Sequence, residues 1–461
     1  VQGLDYTSGS VNRLLIRTAI PMLLASLVNV TTQLVNVFFM GHTSQTVLYV
    51  LSLYIPISFV MIAIVEATQL SVQVAVSRSR AEGSPYFTQL FAHMMGSAGV
   101  LAIVMGGLVM LLSPLLSWFY AVPSDVRPLF AFYVAGMMAA GVPAVLAAAS
   151  GAALRGLGRA QAASWNAVGT ALLNILLVYW FVSVVGFDLK GIIYANLISS
   201  TLSLFISILI LFVRKELVSV RLAFVQRHLI VLRQVGIPVF ISYCLIFVST
   251  FFFNKIVSHF GEGVVAGFGV GYRIQTMAIL PGIVIGSAIG ILINHNLQQA
   301  HRPRAYESYR RGLMQSFIIY AVISVVIWIW REPLTALLIA DPVSRTEAAR
   351  YLAIVALSYL TMGPMMTTLL TMEQSGRGYQ ALLLNAVYFL LIITAGWVLT
   401  RVFNQVVYFY SVIASVNAAS LFCLIPVLRM FKREYAEQSV PGGVGLEGQE
   451  VINGQSYSTQ S

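Results

Sequence analysis

Four polar side chains line one face of the first long apolar run. Asn29, Thr32, Gln33 and Asn36 stand at i, i+3, i+4 and i+7, the spacing that stacks side chains along an α-helix. A second stripe, Glu66, Gln69 and Gln73, lies in the next apolar run at i, i+3 and i+7. A third, Asn166, Thr170 and Asn174, follows at i, i+4 and i+8. Against lipid such a stripe would leave its polar groups unsatisfied, at a cost of several kcal/mol. Each must therefore face protein or a water-filled cavity. Two chemistries fit. Amides and hydroxyls bridge membrane helices for ~0.6 kcal/mol each on average. Three stripes within one half of a chain also suit a polar cavity that binds a cation. Glu66 stands apart, because a carboxylate at mid-bilayer costs about 2.5–3.5 kcal/mol on insertion scales. It is either a permanently neutral acid that donates a hydrogen bond or a group that loads and releases a proton.

Little else in the chain can do bond-breaking chemistry. The six histidines are scattered, and no HExxH, GxSxG, phosphate-binding glycine loop or cysteine cluster occurs. Cys244 and Cys423 lie far apart in apolar runs, so no disulfide framework or metal spacing is expected. The expectation is a protein that is not an enzyme and holds no metal or cofactor. Without a nucleotide-binding loop, an ion gradient, H⁺ or Na⁺, is the remaining energy source for any active transport.

The elements that must carry these stripes are membrane helices. Of 461 residues, 58% are hydrophobic and 9% charged, with a mean hydropathy of +0.85. A soluble domain carries about 25% charged residues. Twelve runs are long enough to cross the ~30 Å hydrocarbon layer: roughly 14–40, 46–76, 88–117, 126–152, 161–185, 190–213, 232–258, 264–295, 312–330, 346–372, 380–400 and 404–428. The fold class is an all-α polytopic membrane protein. Most Lys and Arg fall in connectors on one side if both termini are cytoplasmic. That placement, rather than nucleic-acid binding, accounts for the net charge of +11. The expected location is the inner (plasma) membrane, multi-pass, with lipid and small organic solutes as partners and a monomeric state.

The largest basic connector divides six spans from six. "IRTAIP" (16–21) resembles "LRQVGIP" (232–238), "LRGLGR" (154–159) resembles "MEQSGR" (372–377), and "NAV" recurs at 166–168 and 385–387. These near-constant offsets predict two pseudo-symmetric six-helix lobes in parallel orientation. The expected division is 1–213 for the N-terminal lobe, 214–231 for a linker, 232–430 for the C-terminal lobe and 431–461 for a disordered tail. Pro21 and Pro238 fall at matched places early in spans 1 and 7 and are candidate hinges, since each removes a helical hydrogen bond. Glu373 lies near the end of span 10, where Arg377 is its expected partner.

Longer stretches carry a family resemblance. "LRGLGRAQAASWNAVGTALLNILLVYWFV" (154–182), "GFDLKGIIYANLISS" (186–200), "VVAGFGVGYRIQTMAILPGIVIGSAIGILINHNLQQAHRPRA" (264–305) and "IPMLLASLVNVTTQLVNVFFMGH" (20–42) resemble the multidrug and toxic compound extrusion (MATE) family over roughly residues 10–430. The resemblance implies two lobes around a central cleft. It also implies export of amphipathic, often cationic compounds against inward H⁺ or Na⁺, with rocking lobes and a bending first helix. It places an aspartate where this chain has Asn36, and further acids at Val178, Ile246 and Met362, whereas Asn174 matches. An amide can coordinate a cation but cannot exchange a proton in the physiological range. Three explanations stay open: Glu66 has taken over proton coupling, an aspartate has been replaced at 36, or coupling differs. The last includes the alternative function, flipping of a lipid or lipid-linked substrate as in distant relatives.

Overall fold

A computed structural model describes residues 4–41, 45–79, 82–120, 122–219, 226–339 and 341–437. The side chains of 33–41, 45, 47, 48, 52, 436 and 437 are outside that description. All regular structure among the described residues is helical. Lipid supplies no hydrogen-bond partners, so a spanning segment must satisfy its own backbone. Twelve helices are long and apolar enough to cross a membrane.

The first six spans are α1 (Val11–Gly41), α2 (Gln45–Ser79), α3 (Ser84–Phe119), α4 (Arg127–Gly156), α5 (Ala160–Val178) and α6 (Asp188–Val213). A π-helical stretch, Tyr179–Val184, extends α5. The seventh span begins with α7 (Arg227–Val231), passes through a π-helical turn (Leu232–Gly236) and continues as α8 (Ile237–Val257). Next come α9 (Glu262–Gln298), α10 (Arg302–Ile329) and the short α11 (Arg331–Leu338). The tenth span is α12 (Pro342–Val355) joined to α13 (Tyr359–Gln374) through a single 3₁₀ turn. The chain closes with α14 (Gly378–Phe403) and α15 (Val407–Lys432).

Helix contacts repeat between the halves. In the first, α2 packs on α4, α4 on α6, α3 on α4, α1 on α5 and α5 on α6. The matching spans of the second pack likewise: α9 on α12 and α13, these two on α15, α10 on α13, α8 on α14 and α14 on α15. Between halves, α2 packs on α8 and α9 packs on α1, which are the two images of one contact under a pseudo-two-fold axis. The two six-helix lobes expected from the weak sequence repeat are therefore present as matched packing.

Three boundaries differ from the sequence expectation. The linker ends earlier, because Arg227–Val231 is already helical and buries His228 and Val231. The basic connector after the eighth span is mostly helix, since α10 begins at Arg302 and buries Ala305, Ser308 and Tyr309 against its neighbours. The tail does not begin at 431. Phe431 and Tyr435 are buried, a π-helical turn spans Arg433–Glu437, and Glu434 pairs with Arg377. Residues 438–461 lie outside the described residues.

In the second lobe α9 is the most enclosed span, with 67% of its apolar window buried. Gly282, Gly286 and Gly290 recur every fourth residue and let α13 approach. A methyl at Gly286 would sit 2.7 Å from the Thr367 carbonyl oxygen. Small residues on one face allow close packing of membrane helices, where no hydrophobic force separates protein from lipid tails. Gly286→Leu is expected to destabilise the lobe by about 1–3 kcal/mol through overpacking, read as a lower unfolding temperature in detergent. Gly169→Leu, at a position where an added methyl meets nothing within 4 Å, is expected to leave that temperature unchanged.

Candidate functional site

The α2 stripe lies where the lobes meet. Gln73 is 1% exposed and uses both ends of its amide across this seam. Its Nε2 donates to Ser287 Oγ on α9 (2.8 Å) and to Gln374 Oε1 on α13 (2.9 Å). Its Oε1 accepts from Arg155 Nε on α4 at 2.9 Å. One turn and a half further along α2, Arg78 donates to Asn294 Oδ1 (3.0 Å) and to the Gln374 carbonyl (3.2 Å). Asn294 donates to that same carbonyl at 3.1 Å. His295 Nε2 meets the Gly156 carbonyl at 2.8 Å, and Asn296 donates to the Tyr6 carbonyl at 3.1 Å. Arg304 reaches the carbonyls of Ser8 and Gly9. These groups come from the C-terminal halves of α2, α4, α9 and α13, the start of α10 and the N-terminal segment. Together they join the lobes at the end of the bundle that carries the N-terminus.

Further along the seam, Glu66 accepts from Gln69 Nε2 at 3.1 Å. It also faces Arg155 and the Tyr243 hydroxyl of α8. Glu373 of α13 is 8% exposed and faces Glu66 and Ser242. Arg377, the partner expected for Glu373, is instead taken by Glu434. The reason is positional: Glu373 is buried on the face of α13 toward α2 and α8, whereas Arg377 follows the helix end, where the extension of α15 passes.

The other two stripes are used differently, and the structure does not gather all three around one cavity. Asn166 Nδ2 donates to the Ser203 carbonyl (2.9 Å), and to Ser203 Oγ and Ser207 Oγ. Asn174 Nδ2 donates to Ser199 Oγ at 3.2 Å, and Thr170 returns its hydroxyl to the Asn166 carbonyl. The α5 stripe therefore joins α5 to α6, as hydrogen-bonded membrane helices do. On α1, which packs along α5, Thr32 is buried and donates to the Val28 carbonyl, while Asn29 is exposed. The side chains of Gln33 and Asn36 lie outside the described residues. Pro21 sits inside α1, and Pro238 opens α8 directly after the π-helical turn.

Sequence reasoning missed Arg155, Tyr243, Ser287, Glu373 and Gln374 as partners of the α2 stripe. Arg155 looked like a topogenic charge, and Ser287 is one hydroxyl in an apolar run. The available signal was the pair Glu373–Gln374, two polar side chains closing an otherwise apolar span. In the second lobe, Met362 is buried and its sulfur accepts from Gln275 Nε2 at 3.5 Å, while Tyr351 donates to Gln275 Oε1. No acid takes the place of Ile246 or Met362, so this neutral cluster stands where the resemblance puts carboxylates.

Comparison with known proteins fits this architecture. The MatE family profile matches residues 238–398. The probable multidrug resistance protein YpnP of Bacillus subtilis is 22% identical over 84% of this chain and 87% of its own. A second, YoeA of the same organism, is 26% identical over 48% of this chain and half of its own length. A variant of the Vibrio cholerae MATE transporter VcmN superposes with a TM-score of 0.87 at 19% identity, covering 92% of this chain and 97% of that one. An outward-facing multidrug resistance MATE family transporter superposes at 0.85 with 18% identity, covering 95% and 99%.

Gln73→Leu would leave the Arg155 Nε and the Gln374 side chain without their buried partner. The expected loss is about 1–3 kcal/mol for each polar group so orphaned, read as a lower unfolding temperature. A cysteine placed at Ser287 should also react faster with a water-soluble maleimide in this variant than in the parent.

Proposed function

We propose that the chain is a secondary active antiporter of the MATE type, a reading supported by the match of residues 238–398 to the MatE family profile and by the likeness to YpnP over 84% of the chain. Its cargo is amphipathic, often cationic organic compounds, exported in exchange for H⁺ or Na⁺. The observation that carries this reading is the hydrogen-bonded seam between the lobes. Every hydrogen bond described between the lobes lies toward the end that holds the N-terminus. A two-lobed body tied at one end is one of the two states that alternating access requires. The basic bias of the connectors assigns the tied end to the cytoplasm, so the state described here is shut inward, in a plasma membrane with both termini inside.

Within this reading Glu66 is the proton-exchanging group, since it is the acid of the polar stripes and an amide at 36 cannot fill that role. Asn29, Thr32, Gln33 and Asn36 of α1 orient the cation or the solute, while Asn174 holds α5 to α6 through Ser199. Gln69 and Gln73 hold Glu66 and the seam, and Asn166 and Thr170 fix α5. Pro21 and Pro238 are the flexing points of the paired spans. No cofactor is required, and one copy of the chain suffices. A flippase is less well supported, because Arg78 and Arg155 at the seam are partly buried and engaged by Asn294, Gln374 and Gln73.

Purified protein in liposomes should move a fluorescent organic cation against an imposed pH gradient. Glu66→Gln is expected to abolish the acceleration by that gradient, a loss of at least about tenfold, the scale of general proton-transfer effects. Asn36→Asp should alter the pH dependence. Unchanged pH dependence in Glu66→Gln would remove Glu66 from the mechanism.

A further inference from the structure

A groove of about 450 Å³ opens on the outside of the second lobe, between α10 and α15. That is within the ~300–1,000 Å³ of pockets that hold small molecules. Its apolar part is Leu313, Met314 and Phe317 of α10 with Leu428 of α15, and its charged part is Arg310, Arg429 and Lys432. On α10 these residues stand at i, i+3, i+4 and i+7, so one helical face turns to the groove. Exposed apolar side chains continue from it along both helices, Ile318 and Val322 on α10 and Phe422 and Ile425 on α15, so the groove faces lipid. Beside it, the buried rings of Tyr309 and Phe431 join the two helices, with centroids 4.5 Å apart. The apolar run of α10 starts near residue 312 and that of α15 ends near 428. The three bases therefore stand where hydrocarbon gives way to headgroups, and Phe317 lies about 10 Å deeper than Arg310 at the rise of an α-helix. All three bases are exposed. No acid is among the residues that line the groove. The nearest acids in sequence are taken, Glu307 by Arg311 and Glu434 by Arg377.

We propose that this groove is a binding site for one anionic phospholipid of the cytoplasmic leaflet, with its phosphate held by Arg310, Arg429 and Lys432 and its acyl chains laid along the apolar floor. A guanidinium offers a fork of donors that matches phosphate oxygens, and an ammonium adds a point charge. A zwitterionic headgroup carries its own cation, which the three bases repel, whereas a headgroup of net negative charge meets only attraction. Basic pockets between membrane helices on the cytoplasmic side suit such headgroups. The general bias of cytoplasmic connectors accounts for bases at this end of the bundle. It does not account for their convergence on one apolar groove from the two ends of the second lobe's sequence. A lipid that bridges α10 and α15 and binds only the folded chain also stabilises it by mass action. The site is independent of what the chain transports.

The test exposes the full chain in mild detergent to equal amounts of dioleoyl phosphatidylglycerol and dioleoyl phosphatidylcholine, and counts retained lipid by native mass spectrometry. The parent should retain one phosphatidylglycerol, preferred at least about fivefold, the scale of one basic residue at an anionic membrane surface. Arg310→Gln combined with Arg429→Gln and Lys432→Gln should bring the two lipids to parity. Arg13→Gln combined with Arg214→Gln and Arg233→Gln removes as much charge from exposed positions elsewhere and should keep the preference. Met314→Trp keeps all three bases and fills the groove from a position that is 54% exposed. It should also lose the retained lipid, and it decides the matter if the triple variant fails to fold. Parity in the parent, or a preference that survives either groove variant, overturns the proposal. Displacement of the lipid by millimolar inorganic phosphate, which has no acyl chains, overturns it too. A stable dimer of the parent that the triple variant splits would give the groove to a second copy and likewise overturn it.

Discussion

Gln73 is held by three helices at once. Its amide nitrogen donates to α9 and α13 and its oxygen accepts from α4, all in a space closed to water. A buried primary amide that loses its partners costs a few kcal/mol, so joining the lobes at this end and satisfying Gln73 are the same event. Arg78, Asn294 and the Gln374 carbonyl extend the arrangement by one turn of each helix. Such a seam has two acceptable states and no good intermediate. Either the groups bond each other, or the gap is wide enough for water to bond them all. That all-or-none character suits the alternating access proposed for this chain.

The lobes share topology but not filling. In the second lobe a glycine ladder on α9 brings α13 close, and Gln275, Tyr351 and Met362 form a neutral hydrogen-bonded cluster. In the first, Asn166 and Asn174 draw α6 onto α5 through hydroxyls. Each device brings helices together without a hydrophobic driving force, one by van der Waals approach and the other by hydrogen bonds. Glu347 is buried within the second lobe beside Arg350, whereas Glu66 and Glu373 belong to neither interior. Glu66 and Glu373 lie on α2 and α13, helices of opposite lobes that border the seam.

Much of the fold was readable from the chain. The membrane class, the number of spans and the division into halves followed from hydropathy, connector charge and the repeated prolines and glycines. The misplaced boundaries share a cause. Segments 302–311 and 431–437 are polar or charged, so hydropathy ended the spans there, although Tyr309, Phe431 and Tyr435 bury themselves once the neighbouring helices are in place. The stripes were visible as helical faces, yet their partners were not. Nothing local to Asn166 points to Ser203 and Ser207, and nothing local to Glu373 turns it from Arg377 toward Glu66.

The sequence by itself determined that this chain fills a bilayer with twelve helices in two related halves. Those outcomes depend on composition and on periodicity within each helix, which are local quantities. Only the tertiary structure decided which polar faces meet. Stripes with similar helical spacing became a lobe-to-lobe tie on α2 and a helix-to-helix bridge on α5. Hydrogen bonds and charge pairs act over a few ångströms, and the groups that share them here lie up to 303 residues apart along the chain.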